Sequence, residues 1–144
     1  MMLLELLTLI TGLGLRDGTA LDLAVDVRSV ALTEPPLFSG DDARERTARL
    51  LAVWTMRESA VRPLLGDAGR ACGALQLHEM ARQGVTCEAM LADRRLALAT
   101  GLAWMRSMRD ACGSVEGGLR AYASGSCAGS ARLVRQRCAL AGGC

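Results

Sequence analysis

A single, mainly α domain is what the sequence predicts, on three observations. The chain has 144 residues, the size of one domain, with 51% hydrophobic and 22% charged residues, near an average globular composition. Apolar residues recur at helical spacing in several segments bounded by Gly, Pro or capping residues. No repeat of fixed period appears, so a solenoid is not expected.

The elements follow in chain order. Residues 3–15 are rich in Leu and predict a short helix ended by Gly12 and Gly14. In 21–32 the alternation of Leu21, Leu23, Val25 and Val27 suits a strand, whereas Leu21, Ala24, Val25 and Arg28 suit a helix, so local pattern leaves both open. Glu34-Pro35-Pro36 then forces an extended break, because proline lacks an amide donor and disfavours helix in the residue before it. This boundary separates residues 1–36, a helical extension or part of the domain, from a main domain over 37–144.

Asp42 and Glu45 have capping-box spacing and open a helix over 43–58, with Leu50, Leu51, Val53 and Trp54 as its apolar face. It is expected to end near Arg62-Pro63, before a loop over 65–73 and a short helix over 74–82 stopped by Gly84. A long amphipathic helix over 93–109 follows, with Leu96, Ala99, Leu102 and Ala103 inward and Trp104, Met105 and Met108 near its end. Another helix follows Ser114 and carries Leu119 to Tyr122; the last covers 131–140, before a frayed Gly-Gly-Cys tail.

Composition excludes several classes. The 17 basic groups are all Arg and face 15 acidic ones, a balance of +2 that gives nucleic acid no electrostatic footprint. Lys and Asn are absent, as a codon bias toward G and C would produce, so the Arg count is a poor guide to phosphate binding. Phe38, Trp54, Trp104 and Tyr122 are the whole aromatic complement, too few for a stacking platform. Cys72, Cys87, Cys112, Cys127, Cys138 and Cys144 form no CxxC pair, so disulfides made in an oxidising compartment are favoured over a metal site, with buried free thiols as the competing reading. The pairing stays open, and Cys144 is the expected odd one out.

No transmembrane segment is expected, since the apolar run from Met1 is interrupted by Glu5 and followed by Arg16 and Asp17. The run lacks the basic start of a signal peptide, although Gly18-Thr19-Ala20 loosely imitates a cleavage site, and export is left open.

Chemistry concentrates in Glu58-Ser59-Ala60-Val61-Arg62-Pro63, Gly73-Ala74-Leu75-Gln76 and Ala121-Tyr122-Ala123-Ser124-Gly125. Pro63 lies five residues after Glu58, Gly73 fifteen and Gln76 eighteen. In these residues the chain resembles the lysozyme-like lytic transglycosylases of the soluble type, whose fold is related to that of goose-type lysozyme. That family has a Glu-Ser pair at a helix end, a Pro five residues later, a Gly-Leu-Met-Gln-like turn and a later Ala-Tyr-Asn-Ala-Gly-like motif. The resemblance covers roughly residues 50–125, about half the chain.

It implies a single lysozyme-like domain that cleaves a peptidoglycan glycan strand, without cofactor or metal, and leaves a 1,6-anhydromuramoyl end. Glu58 is the implied acid and then base, with Ser59, Gly73, Gln76 and Tyr122 contacting or shaping the substrate site. Six cysteines without a clear export signal point to an extracytoplasmic setting, in the periplasm, secreted or phage-associated, with a phage virion or secretion apparatus as a possible partner.

Elementary chemistry agrees with the choice of Glu58. Cleaving a glycosidic bond means protonating a weakly basic bridging oxygen, so a carboxylic acid must keep its proton near neutral pH. Glu58 follows Trp54 by one helical turn and sits near a helix C-terminus, where dry surroundings and the negative dipole end favour the neutral acid. Arg57 and Arg62 oppose this, and an ordinary Glu58–Arg62 surface pair is the competing role.

An internal hydroxyl held beside the anomeric carbon needs no second carboxylate, whereas a hydrolytic muramidase would, and Asp67 is the nearby candidate unless it only shapes a turn. Ser59 can instead end its helix, Gly73 merely permit a positive φ, Gln76 hold its own loop, and Tyr122 be a core residue rather than a partner of Glu58. The motif departs from the family at Ala123, Ser124 and Arg70, which keeps a catalytically silent wall-binding or assembly protein among the alternatives.

Other signals carry less. His78-Glu79 starts like a zincin motif, but Arg82 stands where the second His belongs, leaving His78 a surface or helix-capping role. Arg44, Arg46 and Arg49, like Arg132, Arg135 and Arg137, read as solvated helix faces.

Overall fold

The computed structural model describes residues 2–60, 62 and 65–144; Pro63 and the side chains of Asp17 and Asp67 lie outside the described residues, and with them the roles expected of Pro63 and of Asp67 as a second carboxylate. The protein is mainly α and forms one compact domain. Its helices are α1 (Met2–Gly12), α2 (Asp17–Thr33), α3 (Ala43–Glu58), α4 (Glu79–Arg82), α5 (Cys87–Ala92), α6 (Arg94–Cys112), α7 (Val115–Ser124) and α8 (Ala131–Leu140). A small antiparallel hairpin, β1 (Leu65–Gly66) and β2 (Ala71–Cys72), occupies the segment expected to be loop. Residues 74–78 are turn and bridge rather than helix, and α5 is an element that local pattern did not reveal.

Tertiary packing resolves the ambiguity of α2. Ala20, Leu23, Ala24, Val27, Val30 and Ala31 are buried at spacings of three and four, whereas Leu21 and Val25 face outward. Leu6 and Ile10 of α1 and the inner face of α2 join the same core as α3, α6 and α7. The Pro35-Pro36 break holds, and Arg44 fastens it by donating to the carbonyls of Ala31, Leu32 and Glu34, which the end of α2 leaves open. Arg44 is therefore a cap as well as an exposed residue.

Helix α3 occupies the residues its pattern predicts, but Asp42 makes no side-chain capping bond. Six consecutive residues, Leu50 to Thr55, are buried, because α1, α2 and α8 all pack around this helix. Such all-round burial marks a central helix. Helices α5, α6 and α7 start on real caps: Thr86, Asp93 and Ser114 accept from the amides of Ala89, Leu96 and Gly117.

All six cysteines are paired, as Cys72–Cys87, Cys112–Cys127 and Cys138–Cys144. The expectation that Cys144 stays unpaired is overturned: amides of Ala141, Gly142 and Gly143 donate to the last carbonyls of α8 and curl the tail back to Cys138. Among the described residues no helix is long and apolar enough to cross a membrane.

Candidate active site

The last turn of α3 is where the central helix meets the surface. Thr55 is buried, Arg57 is exposed, and the Glu58 side chain is 26% exposed. The helix stops at Ser59, whose amide donates to the Thr55 carbonyl, and Ala60 turns the chain away with φ of +47°.

Ser59 is buried and its hydroxyl donates 2.9 Å to the Ala74 carbonyl, tying the helix end to the turn that follows β2. It lies beneath the site, in a supporting position.

That turn runs from Gly73 to Gln76. Gly73 takes φ of +80°, which glycine adopts without cost, and Gln76 takes the less common value of +51°. The Gln76 amide and its side-chain Nε2 both donate to the Gly73 carbonyl, at 3.1 and 3.0 Å, so the residue holds its own loop. Its Oε1 lies so close over Gly66 that a Cβ there would sit 2.1 Å away. The amides of Cys72 and Leu77 exchange bonds across the turn, and the Cys72–Cys87 bridge staples it to the start of α5.

Tyr122 comes from α7. Its ring meets the buried Trp54 edge-on, with centroids 5.8 Å apart, and its hydroxyl donates 2.8 Å to the Leu75 carbonyl. A phenol has one proton to donate. The expected bond from Tyr122 to Glu58 is therefore replaced by one that fixes the turn. Burial, reinforced by the nearby Glu58 charge and opposed by Arg137, pushes the Tyr122 phenol well above its ordinary value.

These elements enclose a cleft of about 280 Å³ lined by Glu58, Ala71, Leu75, Gln76, His78, Tyr122 and Ala123. Three of the five residues read from the motif thus share one cavity, while Ser59 sits under it. Gly73 instead lines a smaller, separate pocket of about 210 Å³ with Arg62, Met90 and Arg94. His78 is exposed at the rim and precedes α4 without a side-chain capping bond.

One principal residue was missed. Arg137 of α8 is buried, donates from Nη1 to Glu58 Oε1 at 2.5 Å, and lies 4.5 Å over the Trp54 ring. Its reading as a solvated residue fails because Val134, Arg137 and Cys138 are buried together, three and four positions apart. A cation on the apolar stripe of a helix was the available signal. Where dry surroundings are expected for Glu58, its side chain is 26% exposed and faces the Arg137 guanidinium.

No protein-family model matches the chain, and neither a curated protein nor a solved structure shows a significant match to it.

Proposed function

We propose that this chain is a peptidoglycan lytic transglycosylase that cleaves the β-1,4 bond between N-acetylmuramic acid and N-acetylglucosamine. What supports this reading is one observation: Glu58, Gln76 and Tyr122, from three separate elements, line the same cleft. Its volume of about 280 Å³ is near the lower end of small-molecule sites and suits one sugar unit at the reacting centre.

In this mechanism Glu58 gives its proton to the bridging oxygen as the bond to the anomeric carbon breaks. The resulting carboxylate then takes the proton of the muramoyl C6 hydroxyl while that oxygen closes on the anomeric carbon, and Glu58 regains its starting state. No water is consumed. Before the first step the Arg137 pair has to open, and substrate filling the cleft supplies the occasion, since it displaces water around Glu58. Gln76 and Tyr122 keep the facing turn rigid. Three disulfides fit work outside the reducing cytoplasm, in the periplasm, secreted or on a phage particle.

The Glu58–Arg137 pair favours a second reading, a wall-binding or assembly protein that does not cut, because a carboxylate held by a guanidinium has no proton to give. Mass spectrometry of digested wall decides among these. Anhydro ends support transglycosylation, while reducing ends, heavier by one water or about 18 Da, show a muramidase. Wall bound but uncut supports the second reading. Glu58→Gln should lower cleavage about 10²-fold or more, and a variant that still cuts would sink the proposed role.

A further inference from the structure

Behind Arg137, between the end of α3 and α8, lies a larger cavity of about 630 Å³ lined by Arg57, Gln136 and Arg137 with Leu133, Ala139 and Leu140. We propose that it binds an organic carboxylate with a small aliphatic neighbour, such as the free C-terminus of a short acylated peptide.

Charge supports an anion. Arg57 is exposed and has no ion-pair or side-chain hydrogen-bond partner among the described residues. Arg137 lines the same cavity with its side chain 10% exposed and spends one terminal nitrogen on Glu58. Its guanidinium carbon lies 4.5 Å over the Trp54 ring, a contact that helps to hold the group in place. Two guanidiniums at one wall suit a carboxylate, which accepts from both.

The C-terminal ends of α3 and α8 lie close by and repel an anion with about half a charge each. At α8 that effect is blunted, because amides of Ala141, Gly142 and Gly143 already cover the last carbonyls. Leu133, Ala139 and Leu140 suit a methyl-sized side chain next to the carboxylate. An occupant shares Arg137 with Glu58, so it competes with that ion pair.

Binding here needs no glycan chemistry, so it is measured apart from cleavage. Acetyl-alanyl-alanine and its C-terminal amide are titrated into the Trp104→Phe variant, in which Trp54, under Arg137, is the sole indole. The free acid should saturate a change in emission and bind about tenfold or more tightly than the amide, the usual worth of a charged hydrogen bond. Arg57→Gln should weaken the acid about tenfold, and Glu58→Gln, which frees Arg137, should tighten it. Calorimetry on the unaltered protein gives the acid-to-amide ranking even if Trp104→Phe folds poorly. Equal binding of acid and amide, tighter binding of inorganic phosphate than of the peptide acid, or no saturation at millimolar concentration overturns the assignment.

Discussion

Arg137 and Glu58 are joined by a 2.5 Å hydrogen bond across 79 residues of sequence, and that bond seats the last helix against the central one. Helix α8 has ten residues, too few to hold itself in water, so its place depends on contacts with α3 and α7. The same bond sets a guanidinium against the proposed acid, so one interaction bears on both stability and the candidate site.

Arg137→Gln separates the two roles. The variant should lose about 1–3 kcal/mol, since a charged hydrogen bond and a stacking contact disappear while Glu58, 26% exposed, can still be hydrated. If wall is cut, cleavage per folded molecule should rise, because Glu58 no longer has to leave a hydrogen-bond partner before it meets substrate. Urea melts and release of anhydro ends check the two halves. Unchanged stability would discount the bond, and a fall in specific cleavage would make Arg137 a helper of the reaction rather than its brake.

Glycine at 118 is required by the approach of α7 to α6. A Cβ there would lie 2.4 Å from the Arg109 nitrogen and 2.5 Å from its Cα, and helix backbone cannot step aside. Gly118→Ala should therefore cost about 1–3 kcal/mol despite alanine's better helix propensity. Gly101→Ala is the control: its nearest neighbour is the Leu75 Cδ1 at 2.3 Å, a side-chain tip that can rotate, so the loss should be smaller. Equal denaturation midpoints for the two variants would refute the distinction.

What the sequence revealed, and what it hid, follows from the range of the interactions. Helices α3 and α8 were legible because apolar spacing, Gly and Pro are local signals, although α3 stops at Glu58, short of the end expected near Arg62-Pro63; motif spacing also grouped Glu58, Gln76 and Tyr122, which line one cleft. Helix α2 was not, since strand and helix periods both fit its apolar residues until α1, α3 and α6 chose one face. Arg137 was hidden because its partner lies 79 positions away, and helical spacing placed it beside the exposed Arg132 and Arg135. The disulfide pairing was hidden for another reason: counting cysteines leaves every combination open, even though the bridges join successive cysteines only 15, 15 and 6 residues apart.

Two bridges of equal span offer a matched comparison. Cys72–Cys87 and Cys112–Cys127 each close 15 residues, so loop entropy assigns both about 3 kcal/mol. Replacing either pair by alanine should lower stability by a similar amount. Only the first anchors the turn that carries Gln76 and the Leu75 carbonyl, and it does so through α5, a helix of six residues. Cleavage, or binding of wall if no cut is made, should fall further in the Cys72 and Cys87 pair than in the Cys112 and Cys127 pair. Matching losses of function would show that the bridge does not shape the cleft.

The Tyr122 phenol gives the chain an alkaline limit that can be read without interference. The group is held protonated in the folded state by burial first and by the Glu58 charge second, so its folded value stands well above the ordinary 10.0. Below about pH 10 the phenol is protonated whether the chain is folded or not, and the stability it contributes is constant. Above that, the unfolded chain loses the proton and the folded one keeps it. Fewer protons are then bound by the unfolded state, so stability falls with rising pH, by up to about 1.4 kcal/mol per unit, until the folded value is passed. The chain has one Tyr and no Lys, and all six Cys are bridged, so no other side-chain type ordinarily titrates between about pH 10 and 12. The phenolate absorbance should therefore appear together with loss of helical circular dichroism, not before it. Tyr122→Phe should start about 1 kcal/mol less stable, from loss of the bond to the Leu75 carbonyl, and then show a flatter alkaline limb. A phenolate band that titrates near pH 10 with the helices intact would show that Tyr122 is open to water and not locked under the cleft.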